Sequence, residues 1–84
     1  MLNRREEVLT ILQEECGEVI QAATKIIRFG LTKENKAHLE NELGDILAMI
    51  KLVDEEISLD SDHMLDCSEK KLVKVEKFMN NKRE

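Results

Sequence analysis

Glu15-Cys16-Gly17-Glu18-Val19 and Glu42-Leu43-Gly44-Asp45-Ile46 are two near-copies of one word, and their reading decides the fold. Each word sets two carboxylates three residues apart, which is one turn of a helix. With helical residues advancing by about 100°, Val8, Ile11, Val19, Ala22 and Ile26 fall within about 40° of Glu15, and Glu18 about 60° away. Around Glu42 the same rotation places Ile46, Met49 and Val53 within about 40°, with Leu39 and Asp45 at about 60°. Both words therefore lie inside the apolar stripe of an amphipathic helix. Carboxylates on a core-facing stripe are costly unless a positive group lies between them. Lys25 is the one basic residue near either stripe, and a single lysine cannot neutralise four acids. A divalent cation shared by Glu15, Glu18, Glu42 and Asp45 resolves the conflict, and it points to phosphate chemistry.

Working outward, the pattern predicts a first helix from about Asn3 to Phe29. Asn3 is its N-cap, with Glu6 as capping-box partner and Gly30 as the residue that ends it. Thr32 caps a second helix over Lys33 to Ile57, with the stripe Leu39, Ile46, Met49, Ile50, Val53 and Ile57. The connection is so short that the two helices form an antiparallel hairpin, which turns the stripes and their acids towards each other. Ser58 to Asp62 is rich in cap residues and breaks the chain. A third helix follows over about Asp62 to Asn80, with Leu65, Leu72, Val75 and Met79 as a thin stripe for packing or dimerisation. The tail Asn81-Lys82-Arg83-Glu84 is expected to fray. The expectation is one all-α domain over residues 1–84, with its hairpin at about 3–57 and its C-terminal helix at about 62–80.

Composition narrows the class. Proline is absent, and the chain is rich in charged and aliphatic residues, as helical proteins are. The net charge is −5 with the two signs interleaved, and Phe29 and Phe78 are the only aromatics. Neither a basic stripe nor a stacking platform for nucleic acid is present. No apolar run is long enough to span a bilayer. The N-terminal residues turn acidic where a signal peptide turns apolar. Cys16 and Cys67 have no partner spacing and read as reduced thiols. A soluble cytoplasmic protein is the expectation. A core drawn from 84 residues is small, so oligomerisation is the expected source of further stability.

An all-oxygen ligand set suits Mg²⁺, Mn²⁺ or Ca²⁺, and the lack of EF-hand spacing disfavours Ca²⁺. His38 and His63 read as remote from the acidic words, and Cys16 reads as core. Gly17 and Gly44 sit opposite the acids at mid-helix positions, where glycine costs about 1 kcal/mol relative to alanine. That placement predicts the close approach of another backbone.

The pattern Glu14-Glu15-Cys16-Gly17-Glu18, then residues 19 to 41, then Glu42-Leu43-Gly44-Asp45, resembles that of the all-α nucleoside triphosphate pyrophosphohydrolases of the MazG-like superfamily. The resemblance spans about residues 8 to 57, and Lys25-Ile26-Ile27-Arg28-Phe29-Gly30 is similar to small phage-type members. It implies Glu15, Glu18, Glu42 and Asp45 as Mg²⁺ ligands, with Mn²⁺ as a substitute. It implies Glu14 as a further ligand or a water-orienting base, so that Glu14, Glu15 and Glu18 carry catalysis. Lys25 and Arg28 would hold the substrate's outer phosphates. The implied reaction takes a nucleoside triphosphate to the monophosphate and pyrophosphate. The superfamily's four-helix catalytic module implies a homodimer or homotetramer of the hairpin. Two alternatives stand beside this reading. One is a non-catalytic helical module that binds nucleotide or regulates a partner. The other is a phosphoribosyl-ATP pyrophosphohydrolase, disfavoured because Ile46-Leu47-Ala48-Met49 follows Asp45 in place of an aromatic-and-histidine segment.

Overall fold

A computed structural model describes residues 1–81; of the tail, Lys82, Arg83 and Glu84 lie outside the described residues. The chain forms three helices in the expected order: α1 (Arg4–Phe29), α2 (Lys33–Ile57) and α3 (Ser61–Phe78). The caps follow the local chemistry. Asn3 accepts a hydrogen bond from the Glu6 backbone N–H, and the Glu6 carboxylate accepts one from the Asn3 N–H in return, closing the capping box. Gly30 ends α1 with a φ of +98°, a conformation that costs glycine least. Thr32 opens α2 by accepting from the Asn35 N–H, while the Asn35 side chain donates to the Gly30 carbonyl and ties the turn together.

α1 and α2 pack against each other as the antiparallel hairpin. Their register can be read from the side chains. Arg4 reaches Glu56 at 3.2 Å at one end of the seam, and the Glu15 side chain meets Asp45 at its middle. The two pairs are separated by equal lengths of chain on both helices, three turns, so one register serves both. Between them lies the core: Val8, Met49 and Val53 are buried, with Leu12, Leu52 and Leu59 packed against them. Ala22, also buried, lies towards the turn end of α1.

The seam buries less than the periodicity predicts. Ile11, Ile50 and Ile57 belong to the expected stripes but remain exposed, and so does Cys16. Two helices cover only one sector of each other, whereas both stripes are wide enough to meet further neighbours. A Cβ placed on Gly17 or Gly44 would meet nothing within 4 Å, so the close backbone expected there is not supplied by this chain.

α3 leaves the hairpin through a built corner. Ser58 caps α2 with a left-handed φ of 52°, the Leu59 N–H donates to the Asp54 carboxylate at 2.9 Å, and Asp60 caps α3 through the His63 N–H. Beyond this corner α3 packs on neither α1 nor α2, and none of its residues is buried. The radius of gyration is 15.6 Å, against about 12 Å for a compact chain of this length. No helix among the described residues is long and apolar enough to cross a membrane.

Candidate metal centre

Halfway along the seam the apolar contacts give way to acids. Glu15 on α1 and Glu42 and Asp45 on α2 each offer a carboxylate oxygen, and these oxygens lie within 4.8 Å of one another. Glu15 and Glu42 are half-buried and Asp45 is exposed. Three oxygens on one Mg²⁺, each at 2.0–2.1 Å, lie about 3–4 Å apart, so the group is close to ligating size. Its chemistry also fits: hard, anionic and all-oxygen, with no thiolate or imidazole among the three.

The electrostatics oppose this gathering of like charges. The Glu15 carboxyl is held above its ordinary pKa of 4.5, first by partial desolvation in the seam and then by the charges of Asp45, Glu42 and Glu18. A side-chain hydrogen bond between Glu15 and Asp45 adds to the shift. Two carboxyls can bond in this way only when one of them holds a proton. A bound divalent ion would take that proton's place.

Glu18 follows Glu15 by one turn of α1 and is exposed; its charge acts on Glu15, but its oxygens lie outside the three-oxygen group. Glu14, which precedes Glu15 in the chain, is exposed and is not among the three oxygens. Lys25 and Arg28 are not brought to the acids. They line a groove of about 340 Å³ on α1 with Ile20, Gln21, Thr24 and Phe29, and the Arg28 guanidinium lies 5.2 Å from the centre of the Phe29 ring. Along the helix axis Lys25 is about 15 Å from Glu15. Among the described residues no lysine or arginine forms an ion pair with Glu15, Glu42 or Asp45.

The side-chain partner that the pattern reading missed is His38. Its Nε2 lies 3.4 Å from Glu42 Oε1, one turn ahead on α2. The reading of His38 as remote from the acids is corrected here. The contact follows from the four-residue spacing of His38 and Glu42, which puts them one helical turn apart. His63 does stand apart, on α3, with its Nε2 3.7 Å from the Cys67 sulfur.

Comparison with known proteins gives one match. The model of the MazG nucleotide pyrophosphohydrolase domain matches residues 3–77, most of the chain and all three helices. No curated protein and no solved structure matches the chain significantly.

Proposed function

The chain belongs to the MazG nucleotide pyrophosphohydrolase family, and from that premise we propose that it is a Mg²⁺-dependent hydrolase that cleaves a nucleoside triphosphate to the monophosphate and pyrophosphate. The observation that carries the reading is the gathering of Glu15, Glu42 and Asp45 at ligating size on facing helices. Three carboxylates on a packed seam oppose folding unless they serve a cation, and their donor set suits Mg²⁺ with Mn²⁺ as a substitute.

In this reading Glu15, Glu42 and Asp45 hold the ion, and Glu18 completes the set from the next turn of α1. When bound, Mg²⁺ would offset the charge of the triphosphate and make the attacking water easier to deprotonate. Glu14, exposed and next to Glu15 in the chain, orients the attacking water and accepts its proton. Water adds to the α-phosphorus, the bond from that phosphorus to the bridging oxygen breaks, and pyrophosphate leaves. Lys25 and Arg28, two to three turns beyond Glu18 on α1, are assigned to the outer phosphates, and the α1 groove they line is open to a second copy. That openness agrees with the exposed stripe residues. We assign the working form to a homodimer or homotetramer in which two hairpins make the four-helix module.

The test is pyrophosphate release from a panel of canonical and modified nucleoside triphosphates, with Mg²⁺ or Mn²⁺ and with EDTA as control. Metal-dependent release with a monophosphate product is expected from at least one member. No release from any of them by a protein that binds Mn²⁺ would overturn the enzymatic reading.

A further inference from the structure

α3 is a helix without a partner. Leu65, Leu72 and Val75 lie along one side of it, yet Leu65 is 63 % exposed and Leu72 66 %; Met79, expected on the same stripe, follows the helix as an extended residue. An 18-residue helix with no packing is marginal in water, because most helical stability in proteins comes from a covered apolar face. The helix is nonetheless well begun. The Asp60 cap, the Asp54–Leu59 hydrogen bond and the half-buried Leu59 side chain fix its departure from the hairpin. The corner directs α3 away from its own α1 and α2 and leaves the stripe free.

The hairpin carries the complementary vacancy. Leu43, Leu47 and Ile50 form a second apolar strip on α2, beside the seam; Leu47 is 70 % exposed. Leu47 and Ile50 line an open groove of about 350 Å³, and Leu59 and Met64 close its end at the start of α3. The surface area indicates what covers these faces. The chain exposes 7269 Å². A folded monomer of 9.7 kDa exposes about 5,100 Å², which leaves an excess of about 2,100 Å² per chain. A stable interface takes about 800 Å² from each partner, and obligate homodimers take more. Charge has the matching sign. Residues 1–57 hold twelve acidic against seven basic residues, so two bare hairpins repel. α3 as a whole carries four lysines and four acids, but its second half is net basic, with Lys70, Lys71, Lys74 and Lys77 against Glu76.

We propose that α3 is an exchanged arm: it lays the Leu65–Leu72–Val75 stripe on the Leu43–Leu47–Ile50 strip of a second copy, whose own α3 returns the contact. A reciprocal contact of this kind closes as a two-fold dimer and leaves no strip open to further addition. The proposal rests on the oligomeric reading above and names the element that makes it.

Light scattering of the intact chain and of a Leu65→Lys/Leu72→Lys variant tests it, with circular dichroism as the check on helices. The wild-type chain is expected at a two- or fourfold multiple of 9.7 kDa, and the variant at the monomer mass. A monomeric wild-type chain overturns both the arm and the oligomeric reading. A variant that keeps the wild-type mass overturns the arm alone. Should the variant unfold, isotope-filtered NOEs in a mixture of labelled and unlabelled wild-type chains decide. Methyl contacts from Leu72 of one copy to Leu47 of another are expected; contacts from α3 confined to its own chain overturn the proposal. Pyrophosphate release is measured separately, so a failed activity assay leaves this outcome unaffected.

Discussion

The two stretches of the α1–α2 seam are built alike and do opposite work. Near the chain's start Val8 meets Met49 and Val53, and the contact removes apolar surface from water. Two turns further on, the same faces of the same helices present Glu15, Glu42 and Asp45 to one another. The first stretch stabilises the hairpin. The second opposes it, as the raised pKa of the Glu15 carboxyl shows. Apolar contacts and acids are therefore segregated along a single helix pair, and the apolar stretch holds the hairpin together against the repulsion of the acids.

That contrast can be broken from either side. The largest effect is expected at the acids: Glu42→Ala or Asp45→Ala should lower metal-dependent pyrophosphate release by at least about a hundredfold, equivalent to about 2.7 kcal/mol of barrier. Mn²⁺ binding followed by electron paramagnetic resonance should fall with it, while the circular dichroism spectrum stays helical. Retained turnover in either variant would show that the acidic stretch is not the site. At the apolar stretch, Met49→Ala should lower unfolding free energy by about 2–3 kcal/mol in urea titration. A loss below about 1 kcal/mol would mean that the hairpin draws its stability from elsewhere.

The pH dependence sharpens the comparison further. Because the folded Glu15 carboxyl lies above 4.5, the folded chain binds a proton more tightly than the unfolded one does. This contribution is thus most favourable below pH 4.5 and is lost as pH rises through the raised value. In EDTA, Glu15→Gln should flatten that decline and raise the melting temperature at neutral pH; added Mg²⁺ should raise the wild-type value instead. A wild-type chain whose melting temperature climbs through this range, with no difference in the variant, would contradict the assignment. Smaller again is Gly17→Ala, expected to stabilise the chain by up to about 1 kcal/mol because open space surrounds the new methyl. A destabilised variant would reveal a partner's backbone at that face. Arg4→Ala should be nearly silent, with a loss of about 0.2–1 kcal/mol, since its pair with Glu56 is a surface one.

Much of this was legible from one dimension. Helix limits depend on local chemistry, so Asn3, Gly30, Thr32 and Asp60 announce them. The hairpin follows from a turn too short for any other arrangement, and the carboxylates stand out because helical rotation places them on an apolar face. The family resemblance then gave those positions a chemistry, and the match over residues 3–77 shows the family. Position, however, fixes a side chain only relative to its own helix. The separation of Lys25 and Arg28 from Glu15 is set by helical rise within α1, but which α2 acids face Glu15 depends on where α2 sits against α1, and no spacing within α1 encodes that. His38 is the reverse case, a contact within one helix that spacing alone could have found. The register that brings Glu15 to Asp45, the exposure of Ile11 and Ile50, and the unpartnered course of α3 were decided only in three dimensions. The physical reason is common to all three. An apolar stripe states that a face must be covered, but the partner that covers it is chosen by packing between elements, and here part of each stripe is left for another chain.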